Sequence, residues 1–316
     1  MKTPVFSIPM RYFLEVADSG SVNQAAERLC VAASAVSRQV AKLEDSLGAP
    51  LFERRQRRMV LTSAGLRLQA HLRAGSDEAE RVLAQVRGLG DQAAQQVRLA
   101  CTEGFAAAFL PTVIAAFRQA HADAWFELTV AAPDEVSALL VRGAVDLGLK
   151  YCVAPEKAAH VVHAAVAPVY AVMAPDHPLA RRRQVSVVEV ARYPLALGGG
   201  GVTARQLFDL GCNMAGVSYR PAVTCNFSSV LLPLVQGLDI VLSSHLTVAH
   251  LVAQGRLVAV PFEEAQMQQR RLQLMAPLGK HLPPMAQTFS QALVSAIEGH
   301  GKRRIGKRLA TSGRSA

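Results

Sequence analysis

Two sets of residues have types and spacings that can do chemistry. In the first, Ser37, Arg38, Gln39 and Lys42 share a stretch with Val36, Val40, Leu43 and Leu47, apolar residues that recur at intervals of three and four. A helix from about Ser34 to Leu47 therefore buries one face and turns hydroxyl, amide, guanidinium and ammonium groups outward. Such groups bond phosphate oxygens and base edges, and a helix fits the major groove of B-DNA. A few residues later Arg54, Arg55, Arg57 and Arg58 stand between Leu51-Phe52 and Val60-Leu61. The apolar ends anchor a short wing, and its arginine forks can grip phosphates bidentately or enter a minor groove. A solvated charged loop is the alternative for this run, and its place beside the preceding helices favours DNA.

The second set lies in three loops, each following a strand-like run and opening a helix: Cys101-Thr102-Glu103-Gly104-Phe105, Gly198 to Gly201 with Val202-Thr203, and Cys225-Asn226-Phe227-Ser228. Unpaired N–H groups at a helix start favour an anion such as a carboxylate. Gly199 and Gly200 allow close backbone approach, but the run lacks the G-x-G-x-x-G register of a dinucleotide site. Glu103 suits a ligand bearing an amine, or is simply a carboxylate at an exposed helix end. Lys150 can bind a ligand carboxylate or serve as a hinge contact. Candidate ligand residues are thus Glu103, Gly104, Phe105, Lys150, Gly199, Gly200, Thr203, Asn226 and Phe227.

These residues need elements to hold them. Pro9 to Val16 gives a first helix, with Met10, Phe13, Leu14 and Ala17 on one side. Ser21 can cap a second helix whose Ala25, Ala26 and Leu29 point inward. Gly48 ends the third helix, because a residue without Cβ takes the left-handed cap at little cost. The order, two short helices around a tight turn and then a basic hairpin, is that of a winged helix-turn-helix. Thr62 caps a long helical stretch from Ser63 to about Leu89 with an apolar stripe. At about 40 Å it is long and one-sided, and pairing with a second copy is its natural use. Gly88, Gly90 and the polar run Asp91 to Gln96 read as a linker.

From Val97 strands and helices alternate. Strands are expected at 97–101, 126–131, 146–150, 161–166, 169–174, 195–198, 222–225, 240–242, 257–261 and 271–275. Helices are expected at 106–120, 134–142, 203–216, 228–237, 246–254 and 284–299. That alternation predicts parallel sheets covered on both faces, in two α/β subdomains with a cleft between, where ligands bind outside the carboxyl ends of strands.

The net charge of +10 is unevenly spread. Residues 1–96 hold 13 Lys/Arg against 10 Asp/Glu, residues 97–300 hold 15 against 14, and residues 301–316 hold 6 against none. The excess of +3, +1 and +6 leaves a nearly neutral middle, with the positive field at the ends. The last stretch, Lys302-Arg303-Arg304 and Lys307-Arg308 among glycines, is expected to be disordered. No apolar run reaches the roughly 18 residues of a membrane span and no secretion signal opens the chain, so a cytoplasmic protein is expected. Five cysteines without C-x-x-C disfavour a disulfide framework or a zinc site. The absence of G-x-S-x-G, H-E-x-x-H and P-loop patterns argues against an enzyme.

The chain resembles the LysR-type transcriptional regulators over nearly its whole length. Ala25-Ala26-Glu27-Arg28-Leu29, Ser37-Arg38-Gln39, Leu43-Glu44-Asp45-Ser46-Leu47-Gly48, Leu51-Phe52-Glu53-Arg54 and Leu61-Thr62-Ser63-Ala64-Gly65 stand in register with the family's A-A-x-x-L, S-R-Q, L-E-x-x-L-G, L-F-x-R and L-T-x-A-G. Looser matches follow at Phe109-Leu110-Pro111, Phe117-Arg118, Gly143 to Gly148 and His177-Pro178-Leu179-Ala180. The resemblance implies an α+β multidomain fold: a winged helix-turn-helix over 1–65, a linker and dimerisation helix over 62–90, and an effector-binding domain over 97–300 similar to periplasmic binding proteins. Subdomain I would take about 97–166 and 272–300, subdomain II about 167–271, with a basic tail at 301–316. It implies a homodimer or homotetramer on double-stranded promoter DNA, contact with RNA polymerase, no cofactor, and a small-molecule effector held between the subdomains. Thr102 matches the small hydroxyl residue that touches effector in many relatives, and joins the candidates. DNA-contacting candidates are Ser34, Ser37, Arg38, Gln39, Lys42, Arg54, Arg55, Arg57 and Arg58. The chain departs from the pattern at Ala32-Ala33-Ser34, where relatives show S-Q-P or S-Q-S. Ala33 lacks the glutamine's base contact, so readout must lean on Ser37, Arg38 and the wing. Some relatives sense peroxide through cysteines in subdomain II, the region of Cys212 and Cys225, but glycine stands at the strand-end loop that would hold a reactive thiol.

Overall fold

The computed structural model describes residues 7–55, 58–86, 94–235, 239–279 and 281–312. The chain divides into two units, 1–94 with 141–144, and 95–140 with 145–316.

The first unit opens with α1 (Ile8–Ser19), α2 (Val22–Leu29) and α3 (Ala33–Leu47). Gly20 (φ 66°) and Gly48 (φ 64°) end α1 and α3 in the left-handed conformation that a Cβ would oppose. Ser21 accepts a bond from the Gln24 N–H and so caps α2. Two strands, β1 (Phe52–Arg55) and β2 (Arg58–Leu61), pair antiparallel with Phe52 opposite Leu61 and Arg55 opposite Arg58. The helix α4 (Ser63–Val86) follows. Phe13, Val16, Ala25, Ala26, Val36, Val40, Leu43, Leu51, Phe52 and Leu72 form one buried core. Leu72 belongs to α4, so the start of the long helix is part of this core.

Polar bonds fix the wing to the helices. The Glu44 carboxylate in α3 accepts the backbone N–H groups of Leu51 (2.7 Å) and Phe52 (3.2 Å). Thr62 donates its hydroxyl to Pro50 O (2.7 Å) and accepts the Gly65 N–H (3.0 Å), capping α4. Gly65 is forced by close approach: a Cβ there would lie 2.2 Å from Leu51 O. The end of the expected long helix and most of the expected linker, residues 87–93, lie outside the described residues, and Gln96, expected in the linker, begins the next strand.

The second unit runs through β3 (Gln96–Cys101), α5 (Glu103–Ala106), α6 (Phe109–Ala120), β4 (Trp125–Val130), α7 (Pro133–Val141), β5 (Leu147–Cys152), β6 (His160–Val166) and β7 (Val169–Met173). It continues with α8 (Val187–Val190), β8 (Leu195–Gly198), α9 (Thr203–Met214), β9 (Val223–Cys225), α10 (Ser228–Leu231), β10 (Ile240–Ser244), α11 (His245–Ala253), β11 (Val258–Pro261), β12 (Arg271–Ala276) and α12 (Pro284–Ser312). One sheet has the order β4-β3-β5-β12-β6, the other β11-β7-β10-β8-β9. The chain passes between them twice, through Ala167-Pro168 and through residues 262–270. Phe105, Phe109, Leu110, Phe117, Phe289 and Leu293 centre the core of the first sheet, so α12 returns to pack on it. Val187, Val190, Leu207, Phe208 and Phe262 centre the core of the second.

Several expectations are corrected. The sheets are mixed rather than parallel, because β12 runs antiparallel to β5 and β6, and β7 antiparallel to β10 and β11. The expected helix 106–120 is broken at Ala107-Ala108, where Ala108 leaves helical geometry (φ −141°). Pro111 has no N–H to carry a helix through that point. The expected helix 228–237 is only α10 and a 3-10 turn at Leu232–Leu234 around Pro233, while residues 236–238 lie outside the described residues. The helix α8 has no counterpart among the expected elements, although Ser186 and Glu189 form its capping box. The helix α12 runs from Pro284 to Ser312 and so includes residues of the expected tail, and residues 313–316 lie outside the described residues. A glycine costs a helix only about 1 kcal/mol, and the lysines and arginines that follow are good helix formers.

Candidate functional site

The first candidate surface is the outer face of α3 with the wing. Ser34, Ser37, Arg38 and Lys42 are exposed and Gln39 is half-buried, while Val36, Val40 and Leu43 are buried beneath them. Arg38 and Lys42 make no ion pair among the described residues. Ala32 stands at the N-cap and makes no side-chain bond, so the first turn of α3 is uncapped. Arg54 and Arg55 lie in β1 and exposed Arg58 in β2, whereas Arg57 lies outside the described residues. Glu44, to which the sequence assigns no role, positions the wing by taking two of its N–H groups. The surface as a whole offers hydroxyl, amide and cationic donors on a braced frame.

The second candidate lies where the two sheets of the second unit meet. Thr102 follows β3 and is 8% exposed; its N–H donates to Leu149 O (3.0 Å). Its Oγ1 is buried and has no hydrogen-bond partner among the described residues. An unpaired buried hydroxyl costs free energy and calls for an explanation. Next to it, Glu103 reaches across to the other sheet, where its carboxylate accepts the Ser229 N–H (2.9 Å) at α10. Gly104 is tightly placed, since a Cβ would lie 3.1 Å from the Tyr151 ring and 3.2 Å from Thr247 Oγ1.

A second link joins the sheets on the side nearer the crossings. The Tyr151 hydroxyl, at the end of β5, is 2.6 Å from Ser244 Oγ at the end of β10. Ser244 in turn lies 2.9 Å from Thr247 Oγ1 and caps α11 by accepting the Thr247 N–H (3.1 Å). Burial raises the Tyr151 pKa, against the Arg270 charge and the bonds from Ser244 and Thr247. Arg270 is 2% exposed and donates to Ala167 O (2.9 Å) and Pro168 O (3.2 Å), with its guanidinium 4.5 Å from the centre of the Tyr151 ring. Burial draws its pKa down to about 10. Arg270 thus ties one crossing segment to the other, a role of which its sequence position gives no sign.

The other predicted residues divide. Gly199 and Gly200 follow β8, and a Cβ on either would meet nothing within 4 Å, so the loop borders open space. Thr203 opens α9, whose N-cap Val202 makes no side-chain bond. Asn226 and Phe227 are exposed. β8 lies between β10 and β9. The glycine loop therefore leaves its sheet between the strands that carry the Tyr151–Ser244 link and the Glu103–Ser229 link.

Phe105 and Lys150 fall elsewhere. Phe105 is fully buried and stacks on Tyr151 with ring centres 4.2 Å apart, so it supports the seam from the core. Lys150 is buried, with its ammonium 2.7 Å from the Glu156 carboxylate and 2.6 Å from Ser137 Oγ. Burial would raise the Glu156 pKa, but the Lys150 and Ser137 hydrogen bonds, the Ala158 N–H and the Lys150 charge bring it down to about 2. Lys150 is spent on that pair.

The cysteines are unpaired. Burial, then the Glu103 charge, pushes Cys101 up to about 12, and burial, followed by the Asp209 and Glu264 charges, pushes Cys212 to about 11. Both thiols stay protonated at neutral pH and are poor nucleophiles. Among the described residues no helix is long and apolar enough to cross a membrane, and no group of three or more His, Cys, Asp or Glu is placed to hold a metal ion.

Comparison with known proteins supplies the lineage. Residues 9–66 match the family of bacterial regulatory helix-turn-helix proteins, lysR family, and residues 90–298 match the LysR substrate binding domain. A curated relative, the RuBisCO operon transcriptional regulator of Allochromatium vinosum, is 29% identical over 292 residues, 90% of this chain and 94% of its own. Among solved structures, a full-length OxyR variant from Pseudomonas aeruginosa shares the fold with a TM-score of 0.57 at 20% identity, covering 92% of this chain and 93% of its own. The effector binding domain of QuiR in complex with shikimate aligns with a TM-score of 0.52 at 16% identity, over 65% of this chain and 98% of its own. With its N-terminal reading unit and its two-sheet domain both matched in order, the chain belongs to the LysR family of bacterial transcriptional regulators, which are DNA-binding proteins and not enzymes.

Proposed function

We propose that this regulator binds double-stranded promoter DNA through Ser34, Ser37, Arg38, Gln39 and Lys42 of α3 and through the wing arginines Arg54, Arg55, Arg57 and Arg58. We propose further that a small-molecule effector held between the two sheets switches promoter activity. The observation that carries the first part is the exposed, donor-rich face of α3, with Arg38 and Lys42 outside any ion pair among the described residues and the wing braced by the Glu44 bonds. A helix presented this way enters a major groove while the wing meets the backbone. Because Ala32 and Ala33 head the helix, base reading falls to Ser37 and Arg38.

The effector part rests on the orphaned Thr102 hydroxyl at the end of β3, and on the open glycine loop and uncapped start of α9 on the facing sheet. A ligand carboxylate or hydroxyl there would supply the missing bonds, and Asn226 and Phe227 border the same space. The relative QuiR domain, solved with shikimate, is of the same fold and agrees with a small-molecule occupant. Such a ligand switches the protein only by its difference in affinity for two arrangements. The protein works in the cytoplasm as a homodimer or homotetramer joined through α4, and contacts RNA polymerase at the promoter. Gel shift of the full chain on the DNA upstream of its own gene, with and without candidate metabolites, tests both parts. A specific shift that a metabolite alters supports the reading. Failure to bind that DNA above a random duplex would overturn it.

A further inference from the structure

The two sheets of the effector domain are held together by links of very different kinds. Tyr151, Ser244 and Thr247 form a buried link, with Phe105 on one face of the tyrosine ring and Arg270 on the other. Both crossings of the chain lie on that side, since β6 ends one sheet and β11 ends the other. The Glu103–Ser229 bond lies toward the opposite edges, at the ends of β3 and β9, and joins a half-buried carboxylate to an exposed residue. Water can replace a bond of the second kind, whereas opening the first would strand buried hydroxyls. The Glu103 link is thus the weaker of the two, and the crossings tied by Arg270 lie on the side of the stronger one.

We propose that Glu103 is a positioning residue for effector entry: a latch across the seam whose bond to the Ser229 N–H must break before a ligand at the open glycine loop reaches the buried Thr102 hydroxyl. The inference rests on the reading of the seam as the effector site. A charge-assisted bond to a backbone N–H closes the seam firmly, yet it is exposed enough to exchange. Glu103 thereby sets how far the empty domain favours the closed arrangement, and a ligand's apparent affinity carries the cost of opening it.

Hydrogen–deuterium exchange on the full chain, wild type against Glu103→Ala and Glu103→Gln, reads the latch directly. In Glu103→Ala the Ser229 amide loses its acceptor, and its exchange should speed up about tenfold or more. The loops after β3 and β8 should exchange faster as well, while β10 and the core of each sheet stay unchanged. Glutamine keeps an acceptor oxygen without the charge, so Glu103→Gln should fall between the two. Equal exchange at Ser229 in wild type and Glu103→Ala overturns the proposal, as does a rise spread through the whole domain, which would make Glu103 a general stabiliser. No metabolite is needed for this readout. A protein that no metabolite affects would defeat the effector reading and leave the latch intact.

Discussion

Replacing Lys150 by methionine separates two roles that a lysine at the end of a strand can have. The Lys150 and Glu156 side chains are 9% and 13% exposed and 2.7 Å apart. Taking away one partner of a buried pair typically costs about 3–5 kcal/mol, because the remaining charge is left without its counterion. Glu156 gives a second route to the size. Its carboxyl is drawn from 4.5 to about 2, an upper bound of about 3 kcal/mol at neutral pH that Lys150 shares with Ser137 and the Ala158 N–H. Because the folded-state value is the lower one, this stability is fully present above pH 4.5 and is lost as pH falls toward 2. Urea unfolding of wild type and Lys150→Met at pH 7 should therefore differ by up to about 3 kcal/mol. At pH 3 the difference should shrink to about half or less. Equal stability at pH 7, or a gap that does not narrow in acid, would refute the argument. Effector response in a folded Lys150→Met protein should persist, and its loss would return Lys150 to the ligand site.

Three further outcomes follow from the geometry. Gly65→Ala places a methyl 2.2 Å from Leu51 O, so it should destabilise the N-terminal unit by about 1–3 kcal/mol and weaken DNA binding through the displaced wing, seen in thermal melts and gel shifts. Arg38→Ala should cost about 1–3 kcal/mol on the best site and relax preference at one symmetric base position; a uniform loss on every sequence in a binding-site selection would mark a phosphate contact instead. Thr102→Val removes a hydroxyl that is buried and has no partner among the described residues, so it should leave melting unchanged or slightly higher while abolishing the effector's change in the DNA complex. A full response in that variant places the effector elsewhere.

The elements of this chain are largely legible in its sequence because their signals are local. Apolar spacing marks α3, and Ser21, Gly48 and Thr62 punctuate the helices where their caps form. Sheet direction is not legible, since β12 joins β5 and β6 only after the chain has passed through the other sheet, a pairing with no local trace. The same holds for the seam. Thr102 and Glu103 can be named from their loop, yet the Ser229 partner is 126 residues away. Arg270 sits before the last strand with no pattern around it, and its role exists only because Ala167 and Pro168 are brought against it. The two readings of Lys150 stay open in the sequence for a related reason: nothing near it says that Ser137 and Glu156 will meet it.

The central claim is sequence-specific DNA reading by α3 and the wing, and fluorescence anisotropy tests it most directly. The full chain is titrated against a labelled duplex from its own upstream region and against a shuffled duplex of equal length and composition, at several salt concentrations. The upstream duplex should bind about 1,000-fold or more tighter at physiological salt, with both affinities falling steeply as salt rises. Arg38→Ala should narrow the ratio. Equal affinity for the two duplexes at every salt concentration would contradict the account.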